Sequence, residues 1–285
     1  MRMIRAKSIL SPSNNVNLYR GCSHGCIYCD SRSLVYQVGP FEDIAVKQDA
    51  IAIMRQELSR KTKKSIITTG SMCDPYLHLE SELKLTRQML ELIHNTGHGV
   101  LILTKSDLAL RDIDLIRQIN ERYKAIVCYT VTTIDDALCA ILEPNVANSS
   151  RRLECLRQFS QAGVLTGVWM TPILPWINDT LENITGIVEA CSKAGVRYIM
   201  NFGMGLTLRA GNREHFLEML DRHFPGLSSK YIQRFGFDYA CNSPNRKKLT
   251  EQFVSFCEAH RIVYKHNEIH ELLQLYHSSE QMTLF

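Results

Sequence analysis

Apolar runs rich in β-branched residues recur along the first 205 residues and alternate with amphipathic stretches. The runs that predict buried strands are 65–70, 99–104, 125–132, 164–171 and 196–202. Their near-continuous apolar character is typical of strands buried on both faces of a parallel sheet. A shorter strand is predicted in "NVNLYRG" at 15–21. The pattern therefore predicts about six strands in this part of the chain.

The stretches between these runs have helical periodicity. Within 79–93, one face carries Leu79, Leu83, Leu90 and Ile93. Within 179–195, Asp179 is the predicted N-cap, and the buried stripe is Leu181, Ile184, Val188 and Cys191. Strands and helices thus alternate, which indicates an α/β fold.

Three predicted helices end in the same way. In "NTGHGVLIL", "QAGVLTGV" and "KAGVRYIM", a glycine follows the helix and a Val-led strand comes soon after. Glycine supplies the left-handed residue with which a chain leaves a helix and turns back to a sheet. The repetition predicts successive βα units with right-handed crossovers. We expect one βα domain over 1–205 and a mainly helical C-terminal extension over 206–285, packed on it, with a further strand at 261–265.

Composition is ordinary for a globular protein, with 45% hydrophobic and 22% charged residues, and the net charge of +4 is too mild to identify a partner. The N-terminus has no apolar signal-peptide segment, and the uncharged stretch at 164–178 is short and interrupted by proline. These features predict a cytoplasmic protein with no membrane span. The ten cysteines are then not expected to form a disulfide framework.

The stretch "GCSHGCIYCD" at 21–30 brings together Cys22, Cys26 and Cys29 directly after the first predicted strand. In βα folds the loops after strands carry the active site. Thiolates select zinc, copper(I) or iron–sulfur clusters. Zinc would need a fourth ligand, for which His24 is the nearby candidate, and would make the protein a non-catalytic zinc-stapled module that binds a partner. A cubane cluster held by three cysteines instead keeps one iron free for chemistry.

The motif C-x3-C-x-aromatic-C, read here as "CSHGCIYC", followed by βα units, resembles the signature of the radical S-adenosylmethionine (radical SAM) superfamily over about residues 10–205. The resemblance implies a partial (βα)6 TIM-like barrel and a [4Fe–4S] cluster on the three cysteines. It also implies that S-adenosylmethionine (SAM) is cleaved reductively to a 5′-deoxyadenosyl radical, which abstracts hydrogen from a substrate. The cofactors carry the difficult chemistry in such enzymes. Since the remaining cysteines form no further ligand set, we expect a single cluster.

The resemblance also implies SAM-binding residues. Tyr28 occupies the aromatic place before the last cysteine, where the adenine contact lies in the family. The end of the second long strand, where the family often has a Gly-Gly-Glu motif for the methionine amino group, here offers Gly70, Ser71 and Asp74. This sequence has no glutamate at that point.

Two further positions are implied by the family's later strands. Thr132, followed by Thr133, ends a strand where the ribose would lie. Arg152 follows in "NSSRRLE", where it would meet the methionine carboxylate. The alternative interpretation of Arg151 and Arg152 is a solvated helix start.

The segments "NLYRGCSHGCIYCDSRS" and "GSMCDPYLHLE" resemble the spore photoproduct lyase-like branch of the superfamily. The type enzyme of that branch repairs a thymine dimer in DNA with a cysteine hydrogen donor and tyrosines beside its last cluster cysteine. The resemblance implies catalytic roles for Cys73 and Tyr28. An alignment on the shared aspartate puts Ser71 at the donor position instead, and Cys73 could also be an inert buried thiol.

The substrate is not specified by these motifs. Basic groups occur at 59–64, at Arg151–Arg152 and at 245–248, but they are scattered, and solvated helix ends are the ordinary explanation. Nucleic acid is therefore only one candidate substrate. The family resemblance further implies a flavodoxin- or ferredoxin-type electron donor.

Overall fold

A computed structural model describes residues 2–278, the side chains of 274–278 excepted. Its strands, in chain order, are β1 (Arg2–Ile4), β2 (Asn15–Val16), β3 (Tyr19–Arg20), β4 (Ala45–Lys47), β5 (Ile66–Thr69), β6 (Gly99–Thr104), β7 (Ala125–Thr130), β8 (Leu165–Trp169), β9 (Tyr198–Met200), β10 (Gly205–Thr207) and β11 (Ala240–Asn242). Its α-helices are α1 (Ala50–Ser59), α2 (Glu80–Leu83), α3 (Leu85–Thr96), α4 (Ile113–Arg122), α5 (Asp136–Leu142), α6 (Ser149–Gln161), α7 (Leu181–Lys193), α8 (Asn212–His223), α9 (Leu227–Phe235), α10 (Arg246–Ala259) and α11 (His266–Ser278).

The main sheet has six strands in the order β2-β5-β6-β7-β8-β9. Every neighbouring pair is parallel. Each βα unit therefore adds its strand at the same edge, as in a barrel. Within the described residues, β2 and β9 end the sheet without pairing with each other. The predicted partial (βα)6 barrel is confirmed.

Burial explains why the apolar runs predicted these strands. Every residue of β7 is buried, because the strand lies mid-sheet and helices cover its outer face. The helix ends also follow the prediction, since Gly97, Gly163 and Gly195 all have φ between +74° and +78°. None of the helices in residues 2–278 has the length and apolar character that a bilayer crossing requires.

Two helix predictions need correction. The predicted helix at 79–93 is two helices, α2 and α3, because Lys84 between them has a left-handed backbone with φ +51°. The N-cap of α7 is Thr180, whose hydroxyl accepts from the Asn183 N–H, and not Asp179. The Asp179 carboxylate accepts instead from the Trp176 N–H and the Ser243 hydroxyl.

The predicted strands at 15–21 and 261–265 differ from the observed ones. The stretch 15–21 contains two strands in different sheets, since β2 joins the main sheet while β3 joins a small sheet in the order β1-β4-β3. The stretch 261–265 makes only a bridge, between Val263 and Tyr198 of β9.

The chain beyond residue 205 packs closely on the barrel. The predicted boundary at 205/206 falls inside β10, which pairs antiparallel with β11. Helix α10 lies against α7, and its Leu249, Phe253 and Cys257 join the main hydrophobic core. The division into two domains stays a prediction.

Candidate functional site

A cavity of about 500 Å³ opens at the carboxyl ends of the barrel strands. We call it the thiol cavity because its wall carries Cys22, Cys26, Cys29 and Cys73. Residues at or just after the ends of β5, β6, β7 and β8 line it, namely Gly70, Thr104, Thr130 and Thr171, as expected for the active site of a βα fold. The β10–β11 ribbon forms a further wall through Leu206 and Asn242. A volume of this size accommodates a small molecule.

The three predicted cluster ligands share this wall. Burial raises the pKa of Cys22 to about 11 and raises the pKa of Cys26 further. These thiols therefore stay protonated at neutral pH until a metal displaces the proton. An iron–sulfur cluster requires soft sulfur donors, and three of them line one cavity here, so the residues fit the predicted cofactor.

A mononuclear zinc site would need ligands that converge on one point. Within residues 2–278, no three Cys, His, Asp or Glu side chains converge in this way. A cubane cluster does not need such convergence, because each cysteine binds a separate iron. The structure thus offers no support for the zinc module.

The cysteine loop rests on the end of α5 and on the first part of the loop that leads to α6. The Ile27 N–H donates to the Leu142 carbonyl (3.0 Å) and the Asn145 N–H donates to the His24 carbonyl (3.3 Å). Gly25, with φ +70°, lies so close that a Cβ would be 3.0 Å from Asn145 Nδ2. The sequence analysis missed this support, because the two segments are more than a hundred residues apart.

Tyr28 connects the cavity wall to a buried ion pair. Its ring lines the cavity and its hydroxyl donates to Glu143. Glu143 in turn pairs with Arg152 at 2.5 Å, and burial raises the pKa of this carboxyl although Arg152 opposes the rise. Lys105 also lines the cavity, with Nζ 5.8 Å from the centre of the Tyr28 ring.

Arg152 does not line the thiol cavity. Its side chain is 0% exposed, so the interpretation as a solvated helix start is wrong for Arg152, although it describes the exposed Arg151. Its guanidinium is held by Glu143 and by the carbonyls of Thr130 (3.0 Å) and Ala147 (2.7 Å). Arg152 is thus separated from the cavity by Glu143 and Tyr28. To contact a methionine carboxylate in the cavity, as predicted, Arg152 would have to break its buried ion pair with Glu143.

The residues after β5 all line the cavity, as predicted. Gly70 has φ +87°, and a Cβ there would lie 2.2 Å from the Leu103 carbonyl oxygen, so only glycine fits between β5 and β6. Ser71 lines the cavity, and its hydroxyl donates to Asn15 Oδ1 (2.7 Å).

Asp74 links the segment after β5 to the end of β6 by hydrogen bonds. Its Oδ1 accepts from the Thr104 hydroxyl (2.7 Å) and the Tyr76 N–H (2.8 Å), and its Oδ2 accepts from the Lys105 N–H (2.8 Å). The His24 ring lies 3.5 Å from Oδ2. The carboxylate therefore positions the cavity wall.

Thr132 lies outside the wall of the thiol cavity. Strand β7 ends at Thr130, and it is Thr130 that lines the cavity. Thr132 is buried beyond the strand end, its carbonyl accepts from the Asn178 and Asn183 amides, and its hydroxyl has no partner among the described residues. The ribose contact of Thr132 stays a prediction, and the residue at the end of β7 that reaches the cavity is Thr130.

Cys73 has the features of a protonated thiol at the edge of the cavity. It is buried, and its Sγ donates to the Tyr19 carbonyl oxygen at 3.3 Å. Burial, and then the nearby Cys22, raise its pKa to about 12. The S–H bond is therefore intact at neutral pH.

The rim of the cavity carries an aromatic and charged group that the sequence analysis did not identify. The Tyr36 hydroxyl donates to Asp30 Oδ2 (2.8 Å), and Arg209 donates to the Tyr239 hydroxyl (2.8 Å) while its guanidinium lies 5.8 Å from the Tyr36 ring centre. Phe202 lines the cavity and is 59% exposed. Only the fold brings these residues from four segments to one opening.

The family model of the radical SAM superfamily matches residues 16–184, more than half of the chain. An uncharacterized protein of Mycobacterium tuberculosis (strain ATCC 25618 / H37Rv) is 28% identical over 258 residues, which cover 88% of this chain and 75% of that protein. An uncharacterized protein of Methanocaldococcus jannaschii is 28% identical over 256 residues, 86% of this chain and 93% of its own.

Solved structures share the fold at low sequence identity. Spore photoproduct lyase complexed with dinucleoside spore photoproduct is 14% identical, with a TM-score of 0.64, and the match covers 87% of this chain and 74% of that one. A radical SAM methyltransferase from Kitasatospora setae, with tryptophan substrate and a SAM analogue bound, is also 14% identical, with a TM-score of 0.58 over 86% of this chain and 51% of that one.

Proposed function

The chain belongs to the radical SAM superfamily, whose cofactors are a [4Fe–4S] cluster and SAM, and on that premise we propose that Cys22, Cys26 and Cys29 hold the cluster of a radical enzyme. The observation that carries the proposal is the position of these thiols on one wall of the cavity at the carboxyl ends of the barrel strands. When bound, the reduced cluster and SAM would supply a 5′-deoxyadenosyl radical that takes a hydrogen atom from substrate.

The other wall residues would position SAM. We assign the Tyr28 ring to the adenine, because it lines the cavity beside Cys29 and its hydroxyl is fixed by Glu143. Gly70 and Ser71 line the cavity after β5, and we assign them to the methionine end of SAM. Arg152 would act through Glu143 and Tyr28 as a positioning residue.

We assign Cys73 as a hydrogen donor. The Sγ–H would pass a hydrogen atom to the substrate carbon radical, which leaves a thiyl radical on Cys73. The thiyl radical would take a hydrogen atom back from 5′-deoxyadenosine, or an electron and a proton from a flavodoxin- or ferredoxin-type reductant and solvent. The raised pKa supports this assignment, because a thiolate has no hydrogen atom to give. Ser71 is the competing donor position.

The substrate we propose first is a nucleic-acid lesion. The likeness of fold to spore photoproduct lyase with a dinucleoside spore photoproduct supports it. The exposed Phe202 ring on the cavity wall offers a surface on which a base could stack.

The first test is SAM cleavage after anaerobic reconstitution with iron and sulfide and reduction by dithionite. We expect about four irons per chain with matching sulfide, and formation of 5′-deoxyadenosine. Cys26→Ala should lose both. Cys257→Ala is the matched control, because it removes a thiol from α10, which lies against α7 on the outside of the barrel. Cleavage of SAM by the Cys26→Ala variant would overturn the assignment.

The second test uses UV-irradiated DNA and a dinucleoside photoproduct as substrates. Cys73→Ala and Ser71→Ala are compared separately by chromatography of the products. A hydrogen donor is identified by a changed product distribution, because the substrate radical is then quenched elsewhere. If neither variant changes the distribution, the thiol-donor role is wrong.

A further inference from the structure

A second cavity of about 390 Å³ adjoins the thiol cavity. Its wall is built largely from the small β1-β4-β3 sheet and the segment after β1. Tyr36, Met72 and Cys73 line both cavities. The candidate hydrogen donor therefore stands on the partition between the two cavities.

Among the described residues, the wall of this second cavity carries four cations, Arg5, Lys7, Arg20 and Lys47, and no carboxylate. We call it the cation cavity. Such a concentration of one sign in a concave site attracts an anion more strongly than separated surface charges do. The thiol cavity differs, since Asp30 and Asp74 accompany Lys105 on its wall.

The register of the small sheet explains how two of these cations come together. Arg20 of β3 is paired with Ala45 of β4, and Lys47 lies two residues further along β4. Residues two apart on a strand, and directly opposed residues on neighbouring strands, project to the same face. Arg20 and Lys47 therefore share one face, and Arg5 and Lys7 follow the end of β1 beside it.

None of these four cations forms an ion pair with a carboxylate within residues 2–278. Lys47 is half-buried and makes no ion pair or side-chain hydrogen bond among the described residues. Its pKa is lowered by burial, and the charge of Arg20 lowers it further. Arg20 itself donates to the Gln37 carbonyl.

Glu57 is the carboxylate whose charge acts on Lys47. Its oxygens already accept from the Ser8 hydroxyl (2.6 Å) and from the N–H groups of Ile9 (3.2 Å) and Leu10 (2.9 Å). It lies outside the cavity wall, so it does not fill the place of an anionic ligand.

We propose that the cation cavity is a phosphate-binding subsite, which holds a phosphate group of the substrate while the reacting part of the same molecule extends past Cys73 into the thiol cavity. Arg and Lys are the side chains that bind phosphate best, Arg through its fork of donors and Lys as a point charge. The statement that a substrate reacts beside Cys73 rests on the proposed function. The binding of phosphate rests on the cavity alone.

The test is isothermal titration of the cluster-reconstituted protein in phosphate-free buffer at low salt. The probes are inorganic phosphate, a nucleoside 5′-monophosphate and a short single-stranded oligonucleotide. We expect binding that weakens with added salt. Lys47→Met should weaken it about tenfold, because it removes the charge and keeps the length of the side chain.

Two further variants distinguish a loss of phosphate binding from a loss of folding. Lys47→Arg keeps the charge and should retain most of the affinity. The double change Arg5→Gln with Lys7→Gln lies in an exposed segment and should weaken binding without lowering the melting temperature. The matched control is Lys63→Gln, an exposed lysine before β5 at the opposite end of the barrel, which should leave the affinity unchanged.

No binding of any probe, or equal affinity in Lys47→Met and Lys63→Gln, would overturn the subsite. Preference for the monophosphate indicates a free nucleotide, and preference for the oligonucleotide indicates a nucleic-acid strand as the source of the phosphate. SAM cleavage is measured separately in the same wild-type preparation. A failure there counts against the proposed function and not against the phosphate subsite.

Discussion

Two buried Tyr–Glu–Arg triads hold the two ends of the cysteine loop. The inner triad is Tyr28, Glu143 and Arg152, and the outer triad is Tyr19, Glu80 and Arg111. In each, a tyrosine hydroxyl donates to a buried glutamate that an arginine neutralises. Tyr19 precedes Cys22 by three residues and Tyr28 directly precedes Cys29, so the triads flank the predicted cluster ligands.

The triads differ in how their charges are compensated. Arg152 is fully buried and is the sole cation that pairs with Glu143 within the described residues. Arg111 is 22% exposed and also forms an ion pair with Asp112. Asp112 forms a second ion pair with Arg87. Removing one member of an isolated buried pair leaves an uncompensated charge, whereas water and neighbouring charges soften the loss in a shared network. The inner triad should therefore be the more fragile of the two.

The largest effect is expected from Arg152→Met, which leaves Glu143 without its cation. We expect a loss of about 3–5 kcal/mol in the free energy of unfolding. Urea unfolding followed by circular dichroism measures it. The control is Arg151→Met, since Arg151 is exposed and pairs with Asp107 at the surface. The double variant with Glu143→Gln should recover part of the loss, because no buried charge then remains.

Arg111→Met tests the outer triad in the same assay. We expect a smaller loss of about 1–2 kcal/mol, because Arg111 is partly solvated and Asp112 keeps Arg87. If Arg111→Met costs as much as Arg152→Met, the difference in fragility between the triads does not exist.

Substitution of the two tyrosines distinguishes an effect on the stability of the fold from an effect on SAM binding. Tyr28→Phe and Tyr19→Phe each remove one hydroxyl from a buried carboxylate and should cost about 1–3 kcal/mol of stability. The Tyr28 ring lines the thiol cavity and loses its anchor, so Tyr28→Phe should also raise the KM for SAM, by about tenfold. Tyr19 does not line that cavity, so an equal rise in KM for Tyr19→Phe would contradict the assignment of Tyr28.

The smallest effect is in the pH dependence of stability. Burial raises the pKa of Glu143 and of Glu80 above the ordinary value of 4.5. Between 4.5 and the raised pKa the folded state holds the proton that the unfolded state releases, so stability falls as pH rises, by less than about 1.4 kcal/mol per pH unit for each group. Glu143→Gln and Glu80→Gln should each flatten this slope, as unfolding curves collected from pH 4 to 8 would show. Unchanged slopes in both variants would show that these carboxyls do not contribute to it.

The barrel was predictable because its strands are long and apolar, as at 99–104, where the predicted and observed strands coincide. Cys73 was placed on the cavity wall by its position after β5. Glu143 was not predictable, because its contact with Tyr28 spans 115 residues and local periodicity carries no information about it. Strands of two or three residues, such as β3 and β4, are too short to show a period, so the small sheet and the cation cavity above it were missed.

The β10–β11 ribbon connects the shape of the thiol cavity to the packing of the chain beyond the barrel. The ribbon forms one wall of the thiol cavity, while the cysteine loop and the barrel strands form the others. Its strands are paired only with each other among the described sheets, and α8 and α9 connect them. The segment from β10 to β11 nevertheless shares a hydrophobic cluster with Cys26, Ile27 and Tyr28, so a change in its packing reaches the wall that carries the cysteines.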